Sequence, residues 1–182
     1  MLWTTGPCCR QVPTGPRLAA FLDRRADSYA AQRDRPDIDG TSRLSPYLAA
    51  GDIGPRQVWH AARLAADRTG AGASTAADKF LSELIWREFA YHLLHHHGSL
   101  AKTNFRPEFD AFPWRDDRAA LRAWCKGRTG IPIVDAGMRQ LWQTGWMHNR
   151  VRMIAGSFLT KNLLQHWRHG EAWFWDTLVD AD

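Results

Sequence analysis

Hydrophobic residues recur every three or four positions along most of the chain, and this spacing predicts helices. The first amphipathic run begins at Arg17 and places Leu18, Phe21 and Leu22 on one face. Pro, Gly and capping residues mark the starts of later runs. The predicted helices cover residues 17–33, a segment that begins at Ser45, and residues 54–67, 76–97, 117–126, 132–144, 148–166 and 170–179. No stretch alternates as a strand does, so the predicted fold class is all-α, an irregular helical bundle.

Residues 1–16 contain three Pro, two Gly and two Cys without periodicity and are predicted to form an irregular lead-in. Residues 17–182 are predicted to form the helical domain, with a flexible connection at residues 69–75. The run from Ala76 to His97 is apolar around most of its circumference, which predicts a central helix.

The 182 residues carry a formal charge of +5 and include 20 Arg, 4 Lys and ten Trp. The positive charge favours an anionic partner, although a bias of the genome toward Arg codons explains the Arg excess equally well. Three Cys give no zinc spacing and indicate a reducing compartment. No apolar run is long enough to span a membrane and no signal peptide is evident, so a cytoplasmic protein is expected.

Three local patterns suggest binding chemistry. Residues 41–46 combine hydroxyls with Arg43 before a predicted helix, as a phosphate site does, although ordinary capping by Ser45 explains the same pattern. Glu83, Trp86 and Arg87 share one helix face that suits an extruded base, or they form a surface ion pair beside a core Trp. The third pattern is a stripe along a predicted helix, which is either a binding face or a plain helix face; it consists of Trp146, Asn149, Arg152 and Met153.

Histidine is concentrated at residues 92–97, and His92 and His96 are one helical turn apart. No acidic or Cys partner completes a metal signature, so an exposed helix end without metal is expected.

Four motifs in register resemble the flavin-binding helical domain of the photolyase/cryptochrome family: Thr41-Ser42-Arg43-Leu44-Ser45-Pro46, Glu83-Leu84-Ile85-Trp86-Arg87-Glu88-Phe89, residues 130–136, and residues 145–153. The resemblance extends from Arg17 to Asp182. It implies a domain that holds FAD folded into a U shape and binds DNA over the pocket mouth. Blue light then drives electron transfer to a flipped pyrimidine dimer. The Trp-Met-His-Asn-Arg stretch tilts the resemblance toward repair of cyclobutane pyrimidine dimers, the activity of a deoxyribodipyrimidine photo-lyase, which is a carbon–carbon lyase.

The resemblance assigns site residues by position. The expected FAD-binding residues are Tyr29, Thr41, Ser42, Arg43, Leu44, Ser45, Phe80, Glu83, Arg87, Asn149, Arg152, Asp180 and Asp182. The expected catalytic residues are Glu83, Trp86, Asn149 and Met153. The expected DNA-binding residues are Arg33, Glu83, Trp86, Arg87, Asn149, Arg150 and Met153. Arg152 is expected to pair with Asp180, and Trp114 and Trp167 match two members of the family's electron relay.

The family's N-terminal antenna domain has no counterpart here, so no antenna chromophore is expected. The family also continues beyond the position of Asp182, so the chain is expected to be a fragment that binds FAD weakly. A monomer acting on DNA that contains pyrimidine dimers is expected. Two alternatives remain open: a flavin-binding cryptochrome photoreceptor without repair activity, and a flavin-free helical fragment that binds DNA.

Overall fold

The computed structural model describes residues 14–69, 71–98, 100 and 102–182. In these ranges the chain forms helices and no β-strand, in agreement with the predicted all-α class. The α-helices are α1 (Thr14–Arg24), α2 (Tyr29–Gln32), α3 (Ser45–Ala49), α4 (Pro55–Thr69), α5 (Ala71–His96), α6 (Arg118–Cys125), α7 (Pro132–Thr144), α8 (Asn149–Ser157) and α9 (Trp167–Thr177). A 3₁₀ turn spans Pro107–Ala111 and a π turn spans Phe158–Asn162. None of the described helices combines the length and the apolar character needed to cross a membrane.

Helices α1 to α5 enclose a first core cluster, because their apolar stripes face one another. Phe21 of α1 and Phe80 of α5 lie at its centre, with ring centroids 4.8 Å apart. Val58 and Ala62 of α4 contribute further buried surface. This cluster fixes the helix from which Glu83 and Arg87 project.

Helices α6 to α9 enclose a second core cluster around the fully buried Trp124. The indole Nε1 of Trp124 donates a hydrogen bond of 3.0 Å to the carbonyl oxygen of Ala155, which satisfies its polar atom. Gly137 lets α7 approach α8 closely, since a Cβ at this position would collide with Val151. The second cluster thereby fixes the start of α8, where Asn149 and Arg152 lie.

Several predicted boundaries were wrong. The helix predicted over residues 17–33 starts earlier, at Thr14, and breaks between α1 and α2. At the break the N–H groups of Arg25 and Ala26 both donate to the Phe21 carbonyl. The Ser28 hydroxyl donates to the Arg25 carbonyl. Such side-chain bonds compete with the helical ladder. The residues predicted as a flexible connection lie mostly in α5. Residues 1–13 of the predicted lead-in, with Trp3, Cys8 and Cys9, lie outside the described residues.

The helix predicted over residues 148–166 ends in the π turn. Beyond that turn Leu164 adopts a left-handed φ of 54°, and the N–H of Gln165 donates to the Leu159 carbonyl. A β-branched or bulky residue rarely takes this conformation, so the sequence carries no signal for the break.

Helix α5 is central over only half of its length. Residues 80, 81 and 84 are buried in the first core cluster, whereas Ile85, Trp86, Phe89 and Leu94 are exposed. The prediction of a wholly central helix was therefore wrong for the second half, whose apolar side chains have few neighbours among the described residues.

Candidate flavin and nucleic-acid site

A cleft of about 330 Å³ lies between the two core clusters. Four stretches that are distant in sequence supply its walls: residues 29–48, 80–87, 146–152 and 180–182. All thirteen candidate FAD-binding residues line this cleft, together with Leu48, Leu84, Trp146 and Met147. Folding therefore brings together side chains that the sequence spreads over more than 150 positions.

One wall is the loop before α3, where Arg43 adopts a left-handed φ of 51°. A non-Gly residue in this region costs about 1–3 kcal/mol and persists where surrounding contacts hold it. The guanidinium of Arg43 lies 4.4 Å from the ring centroid of Trp146 and pairs with Asp39 at 3.1 Å. These contacts aim a cation along the cleft and offset the backbone strain.

The hydroxyls of this loop do not cap α3 as the sequence predicted. Helix α3 begins at Ser45, its N-cap position is Leu44, and no side chain makes a capping bond there. The interpretation of Ser45 as an ordinary capping residue was therefore wrong. Ser42 Oγ accepts a long hydrogen bond of 3.4 Å from the Leu44 N–H.

Tyr29 and Phe80 form the aromatic floor beside Glu83. Their rings meet edge to face at 5.5 Å, and both residues are buried in the first core cluster. Burial, followed by the nearby charge of Glu83, raises the pKa of Tyr29 to about 12. Tyr29 thus keeps its proton and remains a hydrogen-bond donor at neutral pH.

The carboxylate of Glu83 is held by Arg33 and not by Arg87. Arg33 Nη1 donates to Glu83 Oε1, and the guanidinium of Arg33 is mostly buried. The alternative of a Glu83–Arg87 surface pair on α5 was therefore wrong. A carboxylate fixed by a guanidinium is oriented for a second hydrogen-bonding partner.

Asp34 links the two candidate DNA-binding arginines. Its Oδ1 accepts hydrogen bonds from Arg33 Nε at 3.2 Å and from Arg150 Nε at 2.8 Å. These bonds, with that from Arg150 the stronger influence, lower the pKa of Asp34 to about 2. The two guanidinium groups consequently lie side by side at the rim of the cleft despite their like charge.

Arg87 contacts the end of the described chain. Its Nη2 lies 3.1 Å from Asp182 Oδ2, and the Tyr91 hydroxyl donates to the same oxygen at 2.8 Å. The hydrogen bond to Asp182, followed by burial, raises the pKa of Tyr91.

Arg152 and Asp180 form the most buried charged pair of the site. Arg152 Nη2 lies 2.7 Å from Asp180 Oδ2, and the Asp180 side chain is 1% exposed. The pairing expected between them is therefore present. The other oxygen of Asp180, Oδ1, is buried with no hydrogen-bond partner in the described part of the chain. Buried carboxylate oxygens are nearly always paired, so this atom is suited to a ligand N–H or O–H.

A second cleft of about 710 Å³ adjoins the first and shares Arg152, Asp180 and Asp182 with it. Met153, which is 55% exposed, and Trp167 line this second cleft. Together the two clefts make one open trough.

The remaining candidate residues lie at or outside the rim. Asn149 lines the first cleft and is exposed, whereas Trp86, at 64% exposure, and Arg33 and Arg150 do not line it. Trp86 packs edge to face with Phe89 at 5.8 Å. The exposed indole of Trp86 and the carboxylate of Glu83 belong to the same helix, α5.

The two candidate electron-relay tryptophans are connected by a histidine. The ring centroid of His166 lies 5.1 Å from that of Trp114 and 5.6 Å from that of Trp167. The Trp167 indole donates a hydrogen bond of 2.6 Å to Asn104 Oδ1. Burial, followed by the charges of Arg168 and His169, lowers the pKa of His166, which favours a neutral imidazole between the indoles.

Two other sequence features have structural explanations. Asp135, in the third motif, accepts hydrogen bonds from the Thr129 and Gly130 N–H groups at 2.7 and 2.9 Å. Burial opposes the ionised form of Asp135, yet these bonds lower its pKa and fix the turn before α7.

The ring centroids of His92 and His96 lie 4.3 Å apart. Within the ranges that the structure describes, no three ligating side chains converge on a metal site.

Three residues of the site were not among those predicted from the sequence: Asp34, Tyr91 and His166. Asp34 stands between two arginines in the sequence, which is a weak local signal. Tyr91 is one helical turn from Arg87, to which it is hydrogen-bonded, and His166 adjoins Trp167. Their contacts with Asp182 and Trp114 form only in the folded chain, so no spacing rule reveals those contacts.

Residues 80–182 match the family model described as the FAD binding domain of DNA photolyase. A deoxyribodipyrimidine photo-lyase from Agrobacterium fabrum is 51% identical over 181 residues, which are 100% of this chain and 36% of that protein. A solved class III photolyase from Agrobacterium tumefaciens matches with a TM-score of 0.89 and 54% identity, over 93% of this chain and 34% of that one.

A solved cryptochrome from Synechocystis sp. PCC6803 also matches, with a TM-score of 0.87 and 31% identity over 100% of this chain and 37% of that one. The chain spans about a third of the length of these relatives.

Proposed function

Because the chain belongs to the family of FAD-binding domains of DNA photolyases, we propose that it is part of a deoxyribodipyrimidine photo-lyase. The proposed reaction is the blue-light-driven, FAD-dependent splitting of cyclobutane pyrimidine dimers in DNA. The observation that carries this proposal is the convergence of thirteen candidate residues from four distant segments on one cleft.

The cleft fits a flavin dinucleotide in the chemistry of its donors. Arg43, Arg87 and Arg152 supply cationic donors for phosphate. The Oδ1 of Asp180, which has no hydrogen-bond partner among the described residues, supplies an acceptor for a ring N–H or a hydroxyl. Bound FAD supplies the light-driven electron donation that opens the cyclobutane ring.

On this proposal the protein residues bind and orient the dimer. Glu83, aligned by Arg33, accepts hydrogen bonds from the base edges, and Asn149 offers both a donor and an acceptor. The exposed indole of Trp86 provides a flat surface for an extruded base, and Met153 adapts to the other side. Arg33 and Arg150 contact the DNA phosphates.

We further propose that Trp114 and Trp167 relay electrons toward the flavin site. The support is a continuous series of aromatic rings from Trp114 through His166 to Trp167, which itself lines the adjoining cleft.

Titration of the purified 182-residue chain with FAD tests the cofactor assignment. Flavin fluorescence should be quenched on binding, and Arg43→Ala and Arg152→Ala should weaken affinity at least about 10-fold by loss of charge-assisted bonds. Arg122→Ala, at an exposed position of α6, makes the same charge change away from the cleft and should leave the affinity unchanged. Equal losses for all three variants would contradict the assignment.

Repair itself is tested with the full-length protein that contains this chain. Illumination of the reduced protein with dimer-containing oligothymidylate should restore absorbance near 260 nm, where intact pyrimidines absorb, and Glu83→Gln should lower the yield. The similarity to the Synechocystis cryptochrome supports a second candidate, a flavin photoreceptor without repair. FAD binding without dimer splitting would favour that candidate, and DNA binding without FAD would favour the flavin-free fragment.

A further inference from the structure

A separate cleft of about 360 Å³ lies between the turn after α6, one face of α7 and the side of α9. It shares no lining residue with the two clefts described above. Its lining includes three cationic side chains and no carboxylate: the cations are Lys126, Arg128 and Arg139.

The turn after α6 has a fixed geometry that brings these cations together. Gly127 has a left-handed φ of 59°, and the Arg128 N–H donates to the Ala123 carbonyl at 2.8 Å, which is the bond of a glycine-terminated helix end. A Cβ on Gly127 would lie 2.6 Å from the Asp135 carbonyl oxygen. Lys126 and Arg128 are therefore held against α7 by a turn that only glycine permits.

The carboxylate of Asp135 lies near enough to Arg139 to be stabilised by its charge, but among the described residues it forms no ion pair with any of the three cations. In the described ranges none of Lys126, Arg128 and Arg139 forms an ion pair, and Arg139 Nε donates only to the Asp135 carbonyl at 3.0 Å. Cys125 also lines the cleft, and burial raises the pKa of its thiol, so it adds no negative charge. Three like charges around one concavity favour an anion.

A pair of stacked indoles forms the aromatic side of the cleft. Trp142 and Trp173 are nearly parallel, with an interplanar angle of 13° and centroids 5.7 Å apart. Trp173 anchors the pair on α9, whereas Trp142 is 66% exposed. The outer surface of Trp142 is available for a further flat ring, and such stacking is worth about 1–3 kcal/mol per base.

We propose that this cleft binds a nucleotide, whose base stacks on Trp142 and whose phosphate is held by Arg128, Lys126 and Arg139. The volume suits a single nucleotide. The amide of Gln143, also in the lining, offers a donor and an acceptor to the base edge. The same chemistry is presented by a free nucleotide and by one nucleotide of a single strand.

Equilibrium dialysis of the purified chain with AMP tests the proposal. Trp142→Ala should weaken AMP binding about 5- to 150-fold through loss of the stacking surface, and Arg128→Ala should weaken it most at low salt. The matched controls are Phe109→Ala, an exposed aromatic outside the cleft, and Arg122→Ala, an exposed cation on α6. Both controls should bind AMP as the unmodified chain does, and adenosine should bind more weakly than AMP.

A parallel titration with an oligodeoxyadenylate of about ten nucleotides separates the two sources. If the oligonucleotide binds far more tightly than AMP and its affinity also falls in Trp142→Ala, the occupant is a strand. If the oligonucleotide and AMP bind with comparable affinity, the occupant is a free nucleotide. AMP binding that is insensitive to Trp142→Ala belongs to another cleft and overturns the proposal. Absence of binding by both probes overturns it equally.

Discussion

Asp180 illustrates how one carboxylate serves both the fold and the proposed ligand. Its Oδ2 pairs with Arg152 at 2.7 Å, while its buried Oδ1 lacks a partner among the described residues. The Val179 N–H bonds to the Gly145 carbonyl at 2.9 Å, which brings this segment back across the start of α8. The carboxylate thus stabilises the chain reversal and leaves one acceptor suited to a ligand N–H or O–H.

We expect Asp180→Asn to lower the free energy of unfolding by about 1–3 kcal/mol, because Arg152 loses its buried counter-charge while remaining partly solvated. FAD affinity should fall as well. Urea unfolding followed by circular dichroism measures the first effect.

Asp78→Asn is the matched control, since Asp78 pairs with Arg63 at 3.2 Å and both side chains are about half exposed. Its effect should stay within about 0.5 kcal/mol. A similar decrease in the free energy of unfolding in the two variants would show that the burial of Asp180 does not strengthen its contribution to stability.

At the residue scale the sequence predicted candidate side chains that line one cleft, and the pairing of Arg152 with Asp180, but not the partner of Glu83. Arg43, Arg152 and Asp180 were assigned from the family resemblance. The pairing of Glu83 with Arg33 instead of Arg87 could not be predicted from the sequence. Arg33 lies fifty positions from Glu83, and only the packing of α2 on α5 brings the two side chains together.

At the element scale, α8 and α9 begin in the same way. His148 and His166 occupy the N-cap positions, and each accepts a hydrogen bond through Nδ1 from the N–H two residues later, at 3.2 Å. Burial is the first cause that lowers the pKa of both histidines. Each imidazole must be neutral at Nδ1 to cap its helix.

Stability should therefore fall on acidification. As the pH drops through the ordinary histidine pKa of 6.5, the unfolded chain takes up protons that the folded chain resists. The free energy of unfolding then decreases with a slope of up to about 1.4 kcal/mol per pH unit for each proton. Thermal or urea unfolding between about pH 8 and pH 5 measures this slope.

His148→Asn combined with His166→Asn should flatten the dependence, because Asn caps helices without titrating. His95→Asn, at an exposed position of α5, is the control and should keep the original slope. A double variant with an unchanged slope would exclude the capping histidines as its source.

The existence of most helices was predictable from hydrophobic spacing, and the bounds of α7 were predicted as observed. The breaks were not predictable, because the turn at residues 25–28 and the π turn depend on hydrogen bonds to Phe21 and Leu159 that have no counterpart in the apolar pattern.

At the scale of the whole molecule, the net charge of +5 favours an anionic partner. Arg33 and Arg150 are both engaged by Asp34, so part of their attraction for phosphate is neutralised internally. Composition predicted a basic protein but not the partial neutralisation of these two arginines by Asp34, which depends on the approach of α8 to the segment after α2.

We expect Asp34→Asn to tighten DNA binding and to steepen its salt dependence, by about 0.9 in the slope of log K against log salt for each guanidinium that gains a phosphate contact. Fluorescence anisotropy with a duplex at several salt concentrations measures the slope. Asp37→Asn makes the same charge change at an exposed pair with Arg35. An equal change of slope in that control would attribute the effect to net charge alone.

The position of the cleft between two core clusters has a consequence for cooperativity. Contacts that cross it include Arg43 over Trp146, Arg150 with Asp34, and both Arg87 and Tyr91 with Asp182. Each of these involves a charged group that is partly exposed to solvent. Such contacts couple the clusters weakly, so without a ligand each can open locally at its own free energy. A ligand that touches both walls adds its binding energy to that coupling. The occupant of the cleft then makes the two halves unfold as one thermodynamic unit.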